Sequence, residues 1–215
     1  MKRLILFAAA LVCTSAVFAQ GEYNFQRRSL FEVLPTHADD IVFLGNSITD
    51  GCEWAELFGD ARIRNRGISG DQTRWMLDRL DPIIAGKPAK VFLMIGINDL
   101  AVGVTPETIA ANVRRILERF RAETPATQLY VQSLLPVNGV AFTKFGNHYK
   151  HRAEIEPTNR LLEALCSELG VAYVDVGAAL SDGDGNLDVR YTNDGLHLTG
   201  AGYLAWKSVV EPYVK

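Results

Sequence analysis

Cysteine is scarce in this chain, with three in 215 residues, at positions 13, 52 and 166. No disulfide framework is written into it, and the spacing of Cys52 and Cys166 gives no support for even one bridge. Histidine is scarce as well. His37, His148, His151 and His197 are scattered, and neither a C-x-x-C nor an H-E-x-x-H run occurs, so no metal site is expected and the chemistry should need no cofactor. Basic charge has no surplus, 22 Lys and Arg standing against 25 Asp and Glu for a net charge of −3. No basic patch argues for nucleic acid as a partner. The Gly-x-Ser-x-Gly nucleophile elbow is missing too, because Gly45-Asn46-Ser47-Ile48-Thr49 has Thr49 where the second glycine would stand, which argues against the lipase fold built on that elbow.

Long apolar runs are absent except at the start. Lys2 and Arg3 precede an apolar stretch from Leu4 to Ala19, which ends in the small-residue pattern Val17-Phe18-Ala19 before Gln20. This reads as an export signal over residues 1–19, cleaved after Ala19, ahead of one domain over residues 20–215. The stretch is short for a bilayer span and includes Cys13, Thr14 and Ser15, so no stable membrane anchor is expected. Val12 stands where a lipoprotein signal would carry a small residue before its cysteine. A released protein, periplasmic or extracellular, follows. Losing Lys2 and Arg3 takes the net charge from −3 to −5.

What remains alternates apolar runs of strand length with stretches of helical period. Ile41 to Leu44, Arg62 to Asn65, Lys90 to Ile95, Gln128 to Leu134 and Val171 to Val176 read as five strands. Several are rich in Val, Ile, Leu and Phe without alternation, as suits strands covered on both faces. Trp75, Leu77, Leu80 and Ile83 or Ile84 share one face of the second helix, and Ile109, Val113, Ile116, Leu117 and Phe120 one face of the third. Thr105-Pro106-Glu107 supplies a helix start, Gly170 stops a helix over Ile155 to Leu169, and the last helix begins around Thr199. Trp54 and Trp206 fall in helical segments and read as core. The pattern predicts an α/β fold, a three-layer α/β/α sandwich on a five-stranded parallel sheet.

Ligands of such sheets bind beyond the carboxyl ends of the strands. Ser47 follows the first strand, Gly67 and Gly70 the second, and Gly96 to Asp99 the third, while Asp194 and His197 precede the last helix. Candidate chemistry thus gathers on one rim. A serine hydroxyl is a weak nucleophile that needs an imidazole to take its proton, and the imidazole needs a carboxylate to fix its tautomer. Asp194 and His197, three residues apart, let one short turn present both groups.

Gly45-Asn46-Ser47, Gly70 within Asn65-Arg66-Gly67-Ile68-Ser69-Gly70-Asp71, Gly96-Ile97-Asn98-Asp99, and Asp194-Gly195-Leu196-His197 resemble, in order, the four blocks of the SGNH or GDSL-type hydrolases. The resemblance spans about Asp40 to Val210, and implies their flavodoxin-like sandwich. Within the family, the runs Gly67 to Arg74 and Leu196 to Tyr203 look like the platelet-activating-factor acetylhydrolase catalytic subunits and the bacterial carbohydrate O-acetylesterases. The resemblance implies Ser47 as nucleophile, His197 as general base and then acid, and Asp194 as the orienting carboxylate. It also implies an oxyanion hole formed by the backbone N–H groups of Ser47 and Gly70 and the side-chain amide of Asn98. Asn46 replaces the Asp of the family's name motif, where the side chain supports the loop.

Specificity is expected from the long segment Pro136 to Glu154, which follows the fourth strand and carries Phe142, Phe145 and Tyr149 as candidate substrate contacts. His148 and His151 have no nearby carboxylate in a recognisable pattern and are not read as bases. The expected function is a secreted serine esterase acting on a small ester, an O-acylated carbohydrate with acetyl as the acyl group. The alternatives are a lysophospholipase or platelet-activating-factor-like acylhydrolase, and a non-catalytic glycan-binding module on the same fold. Oligomeric state is not written in the sequence.

Overall fold

A computed structural model describes residues 21–215, so the expected export signal lies outside the described residues. Residues 21–33 are helical (α1). The elements that follow are β1 (Ile41–Gly45), α2 (Ser47–Asp50), α3 (Trp54–Phe58), β2 (Ile63–Gly67), α4 (Thr73–Leu77), α5 (Asp81–Gly86), β3 (Lys90–Met94), α6 (Ile97–Ala101) and α7 (Pro106–Glu123). After these come β4 (Gln128–Gln132), α8 (Gly146–Lys150), a 3-10 turn (Arg152–Glu154), α9 (Ile155–Leu169), β5 (Ala172–Val174), α10 (Gly177–Leu180) and α11 (Gly200–Val214).

All five strands run parallel in the order β2-β1-β3-β4-β5, the flavodoxin-like arrangement. Every residue of β1 is buried, because both faces of a central strand are covered by helices. One face carries an aromatic ladder set by the register. Phe43 pairs with Phe92, and Phe92 with Tyr130, their rings stacked at 4.9 and 4.5 Å. Trp54 of α3 covers Phe43 at 4.2 Å, and Trp206 of α11 meets Trp54 edge-on at 4.8 Å. Both tryptophans are core. On the other face α7 packs against α9 and α4, burying Ile109, Val113, Ile116, Leu117 and Phe120.

Two segments differ from their sequence patterns. The expected second helix is two short ones, α4 and α5, with Met76 buried and Trp75 and Leu77 only half-buried. The break falls where Arg79 turns inward onto Asp71 at 2.7 Å and onto the carbonyls of Arg66 and Gly45, a demand that a continuous amphipathic face does not meet. The stretch Pro136 to Glu154 is not one loop, since α8 and the 3-10 turn lie within it. Strand boundaries shift by a few residues, most at the edges, where β5 keeps only Ala172–Val174.

Candidate active site

Ser47 sits where β1 turns abruptly into the single-turn helix α2. Gly45 makes the turn possible, because a side chain there would run into Thr49 and the Met94 carbonyl. Asn46 caps the helix, its Oδ1 accepting from the Ile48 N–H at 3.0 Å. The loop support expected of this position is thus supplied by the amide oxygen. Within the described residues the backbone N–H of Ser47 donates to no protein acceptor, as befits the first turn of a helix.

The Ser47 hydroxyl lies 3.0 Å from His197 Nε2, and His197 Nδ1 lies 2.9 Å from Asp194 Oδ2. Asp194 Oδ1 also accepts from the backbone N–H groups of Leu196 and His197, at 3.0 and 2.8 Å. Burial works to raise the Asp194 carboxyl, and these hydrogen bonds overcome it, holding the group below the ordinary carboxylate range. An ionised carboxylate only accepts, so Nδ1 carries the imidazole proton and Nε2 is left to accept from the serine hydroxyl. The turn itself is pinned. Gly195 has φ +84°, its N–H donates to Thr192 Oγ1 at 2.9 Å, and its carbonyl accepts from the Asn138 N–H at 2.8 Å. A side chain at Gly195 would collide with the Asn138 carbonyl.

Gly70, with φ +78°, follows β2 in a loop tied to the serine helix. The tie is Asp50, whose Oδ2 accepts from the Ser69 N–H at 3.2 Å, the Ser69 hydroxyl at 2.8 Å and the Tyr23 hydroxyl at 2.7 Å, while Arg27 pairs with its other oxygen at 3.2 Å. Asn65 adds a second tie by donating to the carbonyls of Thr49, Asp50 and Cys52. The Gly70 N–H donates to no protein acceptor among the described residues. Asn98, in the first turn of α6, donates from Nδ2 to the Asp71 carbonyl at 3.0 Å, and its Oδ1 lies 3.0 Å from His148 Nε2. Its neighbour Asp99 is buried and accepts from the Thr73 N–H and, at 2.6 Å, from the Thr73 hydroxyl. Burial pushes the Asp99 carboxyl up to about 6 against those hydrogen bonds.

Of the three loop residues expected to meet substrate, Phe145 stands edge-on to the His197 ring at 5.0 Å. Phe142 packs on Gly195 of the Asp194–His197 turn. Tyr149 turns back into its own loop, against Gly139 and beneath Arg152 at 4.2 Å. Sequence reasoning missed Asp50, Arg79 and the His148 contact with Asn98. None carries a periodic signal, since each works through partners distant in the chain. Among the described residues no three His, Cys, Asp or Glu side chains converge as a metal site, and no helix is long and apolar enough to cross a membrane.

Geometry of this kind, a hydroxyl, an imidazole and a carboxylate in series beside free N–H donors, is suited to acyl transfer. Comparison with known proteins agrees. The model of the GDSL-like lipase/acylhydrolase family matches residues 43–205. Platelet-activating factor acetylhydrolase IB subunit alpha2 of Homo sapiens is 28% identical over 171 residues, covering 76% of this chain and 71% of its own. A solved structure described as a putative platelet activating factor from Streptococcus pneumonia is 31% identical, with a TM-score of 0.85 over 98% of this chain and 99% of that one. Axe2, an acetylxylan esterase from Geobacillus stearothermophilus, shares the fold at 20% identity, with a TM-score of 0.67 over 83% of this chain and 95% of its own.

Proposed function

We propose a mechanism from the premise that this chain belongs to the GDSL-like lipase/acylhydrolase family and is a carboxylic ester hydrolase. Ser47 is the nucleophile. As its Oγ attacks the ester carbonyl, His197 Nε2 takes the hydroxyl proton, and Asp194 holds the resulting imidazolium at Nδ1. The oxygen of the tetrahedral intermediate receives the Ser47 N–H, the Gly70 N–H and the free N–H of the Asn98 amide, donors in place before charge develops. Collapse releases the alcohol, protonated by His197, and leaves an acyl-Ser47 that water cleaves with His197 again as base. The observation that carries the proposal is the continuous Ser47–His197–Asp194 chain, at 3.0 and 2.9 Å.

The substrate is a short-chain ester, an acetyl group on a carbohydrate. Two observations support this reading: the Phe145 ring stands against His197, 5.0 Å away, where a short acyl or sugar group would meet it, and the relatives' names speak of acetyl removal. Each methylene that fits a pocket gains roughly 0.8 kcal/mol, so an enzyme with a long acyl channel improves with chain length. A series of p-nitrophenyl esters should instead give its highest kcat/KM at acetyl or propionyl and fall beyond butyryl. A maximum at octanoyl or longer would refute the reading. The second reading, an acylhydrolase acting on a platelet-activating-factor-like lipid, draws on the name of the 28% identical relative. Acetate release from acetylated xylan or sialic acid, compared with release from the lipid, separates the two.

Export through residues 1–19 completes the proposal, supported by Lys2-Arg3, the apolar run and Val17-Phe18-Ala19. Intact mass of the exported protein should begin at Gln20. Retained Met1 or a lipidated Cys13 would count against it.

A further inference from the structure

We propose that His148 is a positioning residue of the oxyanion hole, its Nε2–H fixing the Asn98 carboxamide so that the amide's second N–H is held for the reacting oxygen. The inference rests on the reading of Asn98 as an oxyanion donor.

The geometry determines how the amide is turned. A backbone carbonyl only accepts, so the contact between Asn98 and the Asp71 carbonyl at 3.0 Å must be made by Nδ2. The amide oxygen then faces His148 Nε2 at 3.0 Å, and that nitrogen must carry a proton. Burial, with the neighbouring His197 ring adding to it, pushes the His148 imidazole down to about 4. It is therefore neutral near pH 7, donates from Nε2 and takes no part in the proton traffic of His197.

Two partners from different segments thus clamp both ends of one carboxamide. The torsion of an Asn amide is broad and weakly restrained by its own chemistry, so the hydrogen bond to Asp71 restrains the group at its nitrogen end alone. His148 supplies the second restraint. Its own ring is wedged in turn, since Phe145 stands edge-on to His148 at 5.5 Å and edge-on to His197 at 5.0 Å. One phenyl ring therefore separates the group that moves the proton from the group that steadies the oxyanion donor. The brace arrives on α8, inside the segment 136–154, and not from any of the four sequence blocks. Seating of that segment and geometry of the oxyanion hole become one event.

Steady-state kinetics on p-nitrophenyl acetate with the full chain tests this through four variants. Asn98→Ala should lower kcat by roughly 10²–10³, the usual cost of an oxyanion donor. His148→Leu should lower kcat by about tenfold, the scale of one hydrogen bond, with KM changed by less than about twofold. His148→Gln, which keeps an N–H donor, should recover most of the loss. In the Asn98→Ala background, His148→Leu should cost nothing further, because its only target is gone. If His148→Leu fails to fold, His148→Phe keeps a ring against Phe145 without a donor and carries the same expectation. A loss that persists in the Asn98→Ala background, or a rise in KM with kcat spared, would overturn the brace and make His148 a substrate contact. So would a Gln variant as poor as Leu. A harmless Asn98→Ala would remove the oxyanion reading and the brace together, whereas a damaging Asn98→Ala with a silent His148→Leu removes the brace alone.

Discussion

Replacing Asp99 with asparagine should uncouple the stability of this protein from pH in one defined window. Asp99 is 1% exposed, and burial pushes its carboxyl from 3.8 to about 6 although Thr73 donates to it from both N–H and hydroxyl. Between about pH 4 and about 6 the folded chain therefore holds this proton more tightly than the unfolded chain does, so stability from this group falls as pH rises through the window and is level above it. A shift of about two pKa units at 1.36 kcal/mol each corresponds to at most about 3 kcal/mol. His148 slopes the other way. Its folded value lies below that of a free imidazole, so its contribution is lost as pH falls from about 6.5 towards about 4. The two slopes oppose each other in the wild type, which is why the variant is informative. Asparagine does not titrate, and the His148 slope is common to both proteins and cancels in their difference. Urea unfolding followed by tryptophan fluorescence, in steps from about pH 4 to about pH 7, gives that difference directly. It should move in favour of Asp99→Asn by up to about 3 kcal/mol as pH rises. A difference that stays constant across the window, or that moves towards the wild type, would refute the reasoning.

Ser47→Ala and His197→Ala should each abolish nearly all esterase activity while leaving thermal unfolding unchanged, and combining them should cost no more than either alone, because they act as one unit. Asp194→Asn should leave a larger residue of activity, and a Ser47→Ala enzyme retaining more than about a tenth of the wild-type rate would end the nucleophile assignment. Trp206→Ala should destabilise the fold by about 3–5 kcal/mol in urea titration, since the ring is fully buried between Trp54 and the sheet and its Nε1–H donates to the buried Gln132 at 2.6 Å.

Much of the architecture is legible because it rests on burial, and burial leaves a periodic trace. Val91, Phe92, Leu93 and Met94 form an unbroken apolar run because β3 lies inside the sheet, while the five buried positions of α7 repeat at helical spacing. β2 is harder to read, since the edge strand Ile63–Gly67 carries Arg64, Asn65 and Arg66. Its polar side chains do local work: Asn65 reaches into the serine turn and Arg64 pairs with Asp40 at 2.9 Å. Ser47, Asp194 and His197 can be picked out as candidates because acyl-transfer chemistry restricts the residue types. The supports of the site cannot be picked out that way. Asp50, Arg79 and His148 hold it through hydrogen bonds that join distant segments, and a buried polar contact repeats with no period. The single helix expected across Trp75 to Ile84 is broken for that reason, because Arg79, which carries no apolar signal, is buried against Asp71.

The strand order also explains which parts of the site need such supports. β1 and β3 are neighbours, and the connection after β1 crosses the face covered by α3 and α11 while that after β3 crosses the face covered by α7 and α9. A crevice opens where the connections leaving two adjacent strands of a parallel sheet run to opposite faces. Ser47 and Asn98 stand at its two lips, each one turn beyond its strand, so the sheet itself fixes their separation. Asp194 and His197 have no strand beneath them. Their turn precedes α11 and must be located by other means, by Thr192 Oγ1 from within the turn and, from a distant segment, by Asn138. That buried residue donates from its backbone to the Gly195 carbonyl and from its side chain to the Leu187 carbonyl, and its Oδ1 accepts from Val140 and Ala141. One residue therefore anchors both the turn that carries the base and the segment that carries Phe145 and His148. The half of the site supplied by the sheet is rigid by topology. The half supplied by loops is held by polar contacts of this kind together with the buried Leu196 between Asp194 and His197, and there a single substitution far from the serine can displace the imidazole.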